Sequence, residues 1–253
     1  MLIHSSSQLL TLQGGPQRGK SLGTLGIIEN GAVVMRDEKI VAVGTTAELK
    51  ASYPQEPTLD AGNCVLMPGF VDPHTHVIWG GDRANEFELK MSGKPYLEIL
   101  AEGGGILSTV KQTRTASIES LMAQTRPRLL RMFRHGTTTV EAKTGYGLQT
   151  ATELRLLKAL LALDDESLLD IVITFLGAHA IAPEYKDNPQ GYTDLVCQTM
   201  LPMANFPRAA LLFSNVTLKE RFSPAARQKS SGRCTGAPST PRAASPRSRC
   251  PGA

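Results

Sequence analysis

The stretch Val-Leu-Met-Pro-Gly-Phe-Val-Asp-Pro at 65–73 runs directly into His74-Thr75-His76, and this junction constrains the chain more than any other feature. Side chains two residues apart on a strand point to the same side. Both imidazoles can therefore reach one ion, and neutral imidazole is a common protein ligand for zinc and similar metals. The apolar run ahead of them predicts a strand buried on both faces, as in a parallel sheet. A metal pair at the C-terminal end of such a strand is where the active site of a β/α barrel lies. A bare His-x-His also arises by chance on a surface; the longer Pro-Gly-Phe-Val-Asp-Pro-His-Thr-His context is what makes it specific.

The pattern changes character on either side of this junction. Residues 25–44 read as a β-hairpin meander: Gly26-Ile-Ile-Glu, the turn pair Asn30-Gly31, then Ala32-Val-Val-Met-Arg, a second turn at Asp37-Glu-Lys, and Ile40–Gly44. Thr45 or Thr46 caps a short helix through Leu49. From residue 65 onward, strands alternate with helices, the signature of βαβ units. Tyr96–Ala101 is a short helix and Ile118–His135 a longer one, with Pro127 inside it and Gly136 as its stop. The β-branched run Thr137-Thr-Thr-Val-Glu-Ala reads as the second strand of this series. Thr152–Leu163 is an amphipathic helix, Leu169–Leu176 a third strand ending at Gly177-Ala-His179, and Gly191–Met203 helical again. The fold expected is α/β: the first part of a TIM-like (β/α) barrel over 65–204, preceded by a small β-sandwich module over 1–64. Three strands fall short of the eight that close such a barrel.

Charge separates the rest of the chain from this body. From Asn205 onward there are nine Lys and Arg against one acid, Glu220, whereas residues 1–204 carry 18 basic and 22 acidic side chains. After Phe222 there is no Ile, Leu, Val, Met or aromatic residue, so that stretch buries too little apolar area to offset its ordering entropy. Residues 205–253 are accordingly expected to be a disordered tail, of the Ser, Pro, Arg, Ala and Gly composition that a shifted reading frame in GC-rich DNA tends to spell. Basic tails can bind nucleic acid, but without aromatic interleaving or a binding fold that partner is not expected here. No secretory leader or membrane span is read from the sequence. Cys64, Cys197, Cys234 and Cys250 lack Cys-x-x-Cys spacing, which argues against a zinc knuckle or a disulfide framework and for a reducing cytoplasm.

Candidate site residues gather at the predicted strand ends: His74 and His76 after the first, Lys143, Thr144 and Tyr146 after the second, His179 after the third. Arg83, in Trp79-Gly-Gly-Asp-Arg, could hold a substrate carboxylate with two parallel hydrogen bonds. Each has a plainer reading: Arg83 as a surface ion-pair residue, Tyr146 as a turn aromatic between glycines, His179 as a hydrogen-bond partner of a loop carbonyl. His135 is a helix-dipole match and His4 inert. Gly103–Gly105 does not fit phosphate-loop spacing and implies no nucleotide.

On Pro-Gly-Phe-Val-Asp-Pro-His-Thr-His the chain resembles the amidohydrolase superfamily. Val-Asp-Pro-His-Thr-His-Val-Ile-Trp-Gly-Gly-Asp-Arg-Ala-Asn-Glu-Phe-Glu-Leu-Lys at 71–90, Thr-Thr-Thr-Val-Glu-Ala-Lys-Thr-Gly-Tyr-Gly-Leu at 137–148 and Thr-Phe-Leu-Gly-Ala-His-Ala-Ile-Ala-Pro-Glu-Tyr at 174–185 narrow the resemblance to the imidazolonepropionase family of histidine degradation, over roughly residues 25–203. The resemblance implies metal-dependent hydrolysis of 4-imidazolone-5-propanoate to N-formimidoyl-L-glutamate. It implies one zinc or iron ion, His74 and His76 as metal ligands, and Arg83, Tyr146 and His179 as substrate contacts. The family's third metal histidine and metal aspartate have no match after Met203, so no catalytic residue is assigned and the chain as written is expected to bind metal weakly and lack useful activity. Expected partners are a small molecule carrying a carboxylate and no membrane, with a homodimer left open. The alternatives are another metal-dependent amidohydrolase, a cyclic amidase or deaminase, or a noncatalytic fragment.

Overall fold

The computed structural model describes residues 1–204 and the backbone of 209–211. The amino-terminal part builds two small sheets from strands β1 (Leu2–His4), β2 (Gln8–Leu10), β3 (Ile27–Glu29), β4 (Gly31–Arg36), β5 (Lys39–Thr45), β6 (Thr58–Asp60) and β7 (Val65–Leu66). One has the order β5-β4-β1-β6 and the other β3-β2-β7. Asp37 and Glu38, both at positive φ, make the tight turn that pairs Arg36 with Lys39. Asn30-Gly31 does something different from the expected hairpin turn. β3 pairs with β2 while β4 pairs with β1 and β5, so the chain changes sheets there. Helix α1 (Thr46–Ser52) starts on a capping box, in which the Thr45 hydroxyl accepts from Glu48 N and Glu48 Oε2 accepts from Thr45 N. Leu2, Ala32, Val34 and Leu49 close a small core of their own.

A second body follows, built on a parallel sheet of order β11-β10-β9-β8. Its strands are β8 (Phe70–Thr75), β9 (Thr137–Lys143), β10 (Asp170–Phe175) and β11 (Ala209–Leu211). Between β8 and β9 run α2 (Ala84–Met91), α3 (Tyr96–Ala101), α4 (Ile106–Thr115) and α5 (Ile118–Arg134). α6 (Thr150–Glu166) links β9 to β10, and α7 (Pro189–Leu195) continues through a π-helical turn at Val196–Met200 toward β11. Two of these helices, α2 and α4, fall where the sequence reading places no helix. Val65–Leu66 pairs with β2 rather than continuing into β8, so the passage between the bodies falls at Pro68-Gly69, a few residues past the expected boundary at 64. β11 also departs from expectation, since Ala209–Leu211 pairs in parallel with Ile173–Phe175 where a disordered tail was read. The rest of the expected tail, 205–208 and 212–253, lies outside the described residues.

The two faces of this sheet differ. Val140, Ala142, Ile171, Ile173 and Phe175 pack under Leu121 and Leu129 of α5 and Leu156, Leu157, Leu160 and Leu163 of α6. The opposite face, with Val71, Thr139, Glu141 and Val172 in register, is open: Val71 is 64% and Val172 49% exposed. The expectation of a first strand buried on both faces therefore fails for β8, because among the described residues it is an edge with one neighbour. No helix among the described residues is long and apolar enough to cross a membrane. Leu160→Ala should lower stability by about 2–5 kcal/mol, whereas Val71→Ala should cost less than about 1 kcal/mol in a urea titration. Equal losses would contradict the one-sided core.

Candidate active site

Three strand ends and the loops just beyond them carry the candidate side chains. His74 is exposed within β8, and His76 follows the strand half-buried. Between them the Thr75 hydroxyl donates to Glu141 O at 2.6 Å and pins the end of β8 to β9. The two imidazole centroids lie 6.1 Å apart. His179, beyond β10, stacks on His76 at 4.4 Å with planes 13° apart. Tyr146, beyond β9, leans on both, at 5.2 Å from His76 and 5.4 Å from His179. Four of the five expected side chains thus form one cluster. Arg83 stands exposed at the N-cap of α2, and its charge acts on the Tyr146 hydroxyl. His135 caps the end of α5, and His4 bonds Ser5 Oγ in the other body.

Burial sets the protonation of the cluster. His76 is lowered to about 4, first by burial and then by the positive charges of His179, Lys143 and His74, so it is a neutral imidazole near pH 7. Its Nδ1 is buried without a hydrogen-bond partner. Burial also lowers His179, against a hydrogen bond in which Nδ1 donates to Gly145 O at 3.0 Å, and it raises the Tyr146 hydroxyl against the pull of Arg83. Lys143 is buried and ion-paired with Glu141, whose Oε1 accepts from Thr174 Oγ1 at 2.8 Å. Thr144 has a scaffolding part, its hydroxyl accepting from Leu176 N at 3.0 Å.

A neutral imidazole with an unpartnered Nδ1, beside a second imidazole, fits part of a metal shell. A catalytic zinc normally takes three protein ligands and water. Among the described residues no group of three or more His, Cys, Asp or Glu side chains could hold an ion. The donor set among the described residues is a pair.

Helices anchor the loops that carry these groups. Arg128 of α5 lies 3.3 Å over the Trp79 ring and donates to Val77 O and Trp79 O at 3.1 and 3.0 Å. Gly80 N donates to Thr113 Oγ1 and Gly81 N to Gln124 Oε1. Arg114 of α4 donates to Gly147 O at 2.7 Å and pairs with Glu184. Glu153 of α6 accepts from the backbone of the turn at 145–148. None of Arg128, Arg114, Glu153 or Glu141 stands out in the sequence as part of a site. Glu141 had a signal: it sits two residues before Lys143 on one strand, hence on the same face. Charges within helices offer none, since an acid in a first turn reads as a dipole match. Arg128→Ala should cost about 2–3 kcal/mol, combining a stacked cation with hydrogen bonds from a charged donor, and red-shift the emission of Trp79, the sole tryptophan. Unchanged emission would contradict the stacking.

The described residues are similar in sequence to known proteins. An imidazolonepropionase-like composite domain of bacteria matches residues 31–55. Imidazolonepropionase from Herpetosiphon aurantiacus is 51% identical over 201 residues, covering 79% of this chain and 47% of the relative. The enzyme of that name from Alkaliphilus metalliredigens is 47% identical over 207 residues, 80% of this chain and 49% of the relative. Among solved structures, the guanine deaminase of E. coli overlays with a TM-score of 0.46 at 11% identity, over 83% of this chain and 44% of that one. The chain spans about half the length of the curated relatives it matches, 47% to 49% of each. Over that shared span, the chain is homologous in sequence to curated imidazolonepropionases, at 42% to 51% identity.

Proposed function

We propose that this chain carries the first part of an imidazolonepropionase active site, which opens the ring of 4-imidazolone-5-propanoate by hydrolysis to N-formimidoyl-L-glutamate. One observation supports it above the others: His74, at the end of β8, and His76, Tyr146 and His179, just beyond the strands, meet at the C-terminal ends of consecutive parallel strands. That is the end at which β/α barrels do their chemistry. In this reading residues 70–204 form the first part of an amidohydrolase barrel, and residues 1–66 a separate β-sandwich module. The relatives' names support a role in histidine degradation, and the scattered cysteines a reducing, cytoplasmic setting.

His74 and His76 would hold one divalent ion, zinc or iron. When bound, such an ion lowers the pKa of a water molecule and polarises the scissile carbonyl. This chain's own residues prepare the substrate. Arg83 offers a planar pair of donors to the propanoate carboxylate. The Tyr146 hydroxyl, kept protonated by burial, donates a hydrogen bond. His179, with Nδ1 committed as donor to Gly145 O, has Nε2 as its acceptor nitrogen. Among the described residues the ligands are a pair, an incomplete shell, so residues 1–204 alone should bind metal weakly and turn over little.

The test is a chimera in which residues 1–204 precede the second half of the Herpetosiphon aurantiacus relative. It should hydrolyse 4-imidazolone-5-propanoate, lose activity on chelation and regain it with zinc or iron. Arg83→Ala should weaken transition-state binding by about 2–4 kcal/mol, mostly through KM. A folded, metal-loaded chimera that ignores this substrate but hydrolyses cyclic ureides or deaminates bases would overturn the reading.

A further inference from the structure

We propose that Glu153 is a positioning residue of the site: its buried carboxylate folds the turn at 144–148 and, through Gly145, sets the rings of His179 and Tyr146. Glu153 is fully buried in the first turn of α6, among leucines that pack under the sheet. Its Oε2 accepts from Gly145 N at 3.0 Å, and its Oε1 accepts from Gly147 N at 2.7 Å and Leu148 N at 2.8 Å. Three amides of one turn, those of residues 145, 147 and 148, need an acceptor at both oxygens, which a glutamine side chain cannot supply. Burying a carboxylate is costly, and the donors offset that cost only while the turn keeps its shape.

The other edge of the turn is held by a cation. Arg114 Nε donates to Gly147 O at 2.7 Å, so one peptide unit on each side of Gly147 is gripped, by Glu153 at its N–H and by Arg114 at its carbonyl. Gly147 has no room for more, since a Cβ there would lie 2.8 Å from Glu153 N and 2.9 Å from its Oε1. Gly145 is the link to the chemistry. Its φ of +109° suits glycine, its N–H is tied to Glu153, and its carbonyl accepts from His179 Nδ1 at 3.0 Å. A Cβ on Gly145 would lie 2.7 Å from His179 Cβ, so the histidine packs directly on this residue. Tyr146 follows with its ring against His76 and His179. The carboxylate touches none of the rings, and it acts through residue 145.

The catalytic meaning rests on reading Tyr146 and His179 as substrate contacts, but the measurable consequences do not. In the full chain at about pH 8, above the ordinary histidine range, long-range proton–nitrogen NMR should find neutral His179 protonated at Nδ1. Hydrogen exchange at Gly145, Gly147 and Leu148 should be slowed on the order of 100-fold relative to a free loop. Glu153→Gln should return His179 to mixed tautomers and cut that protection more than about tenfold, while Trp79 emission and the far-ultraviolet spectrum stay as they were. Gly147→Ala, which crowds the carboxylate without altering it, should shift the tautomer the same way. Should Glu153→Gln fail to fold, the wild-type exchange and Gly147→Ala still decide. Free-loop exchange in the wild type, or an unchanged His179 tautomer in both folded variants, would overturn the proposal. An inactive chimera with the NMR signatures intact would sink the functional reading and leave this one standing.

Discussion

The parallel register of β8, β9 and β10 is the constraint on which the remaining geometry depends. Thr75 lies against Ala142, and Lys143 against Thr174. His76, Tyr146 and His179 sit one to five residues beyond those positions, so a shared register delivers them to one place. A slip of one residue on β8 would turn its side chains to the opposite face and separate the histidine pair from His179. The Thr75 hydroxyl on Glu141 O is the local lock at the strand end. The leucines of α6 and α5 supply the driving force behind it, by burying one face of the sheet.

The open side of the sheet and the site are two aspects of one arrangement. Helices cover the face that bears Val140 and Ile173, while the face that bears Glu141 and Lys143 has polar groups paired with each other. A buried ion pair of this kind contributes little to stability and is easily disturbed by losing one partner. Its presence on the exposed face, next to an unpaired His76 Nδ1, marks this side as the one prepared for chemistry. Binding geometry is then completed from the helical side, with Arg128 fixing the loop at 77–81 and Glu153 and Arg114 the turn at 144–148.

Much of this was legible in the chain. The 3.6-residue period of 118–135 and 152–163 and the β-branched run at 137–142 have one physical reading each, and the helices Ile118–Arg134 and Thr150–Glu166 and the strand Thr137–Lys143 lie there, within a few residues at the ends. Asn30-Gly31 misled because turn chemistry is local, while the partner of a strand is not. The same two residues that close a hairpin also let a chain switch sheets. Val65–Leu66 misled for a related reason, since an apolar run does not say which sheet it joins. Of the site, the histidines, Tyr146 and Arg83 could be named because their chemistry is unusual at strand ends. Glu153 and Arg128 could not, because only the fold reveals which backbone groups face them.

His74 and His76 are proposed above as a two-imidazole donor pair for a metal ion. X-ray absorption of the zinc-loaded chain tests it most directly. The account predicts two imidazole nitrogens at about 2.0–2.1 Å with oxygen filling the remaining positions, and one nitrogen fewer in His76→Ala. A shell without histidine nitrogen, or one unchanged by that substitution, would contradict it.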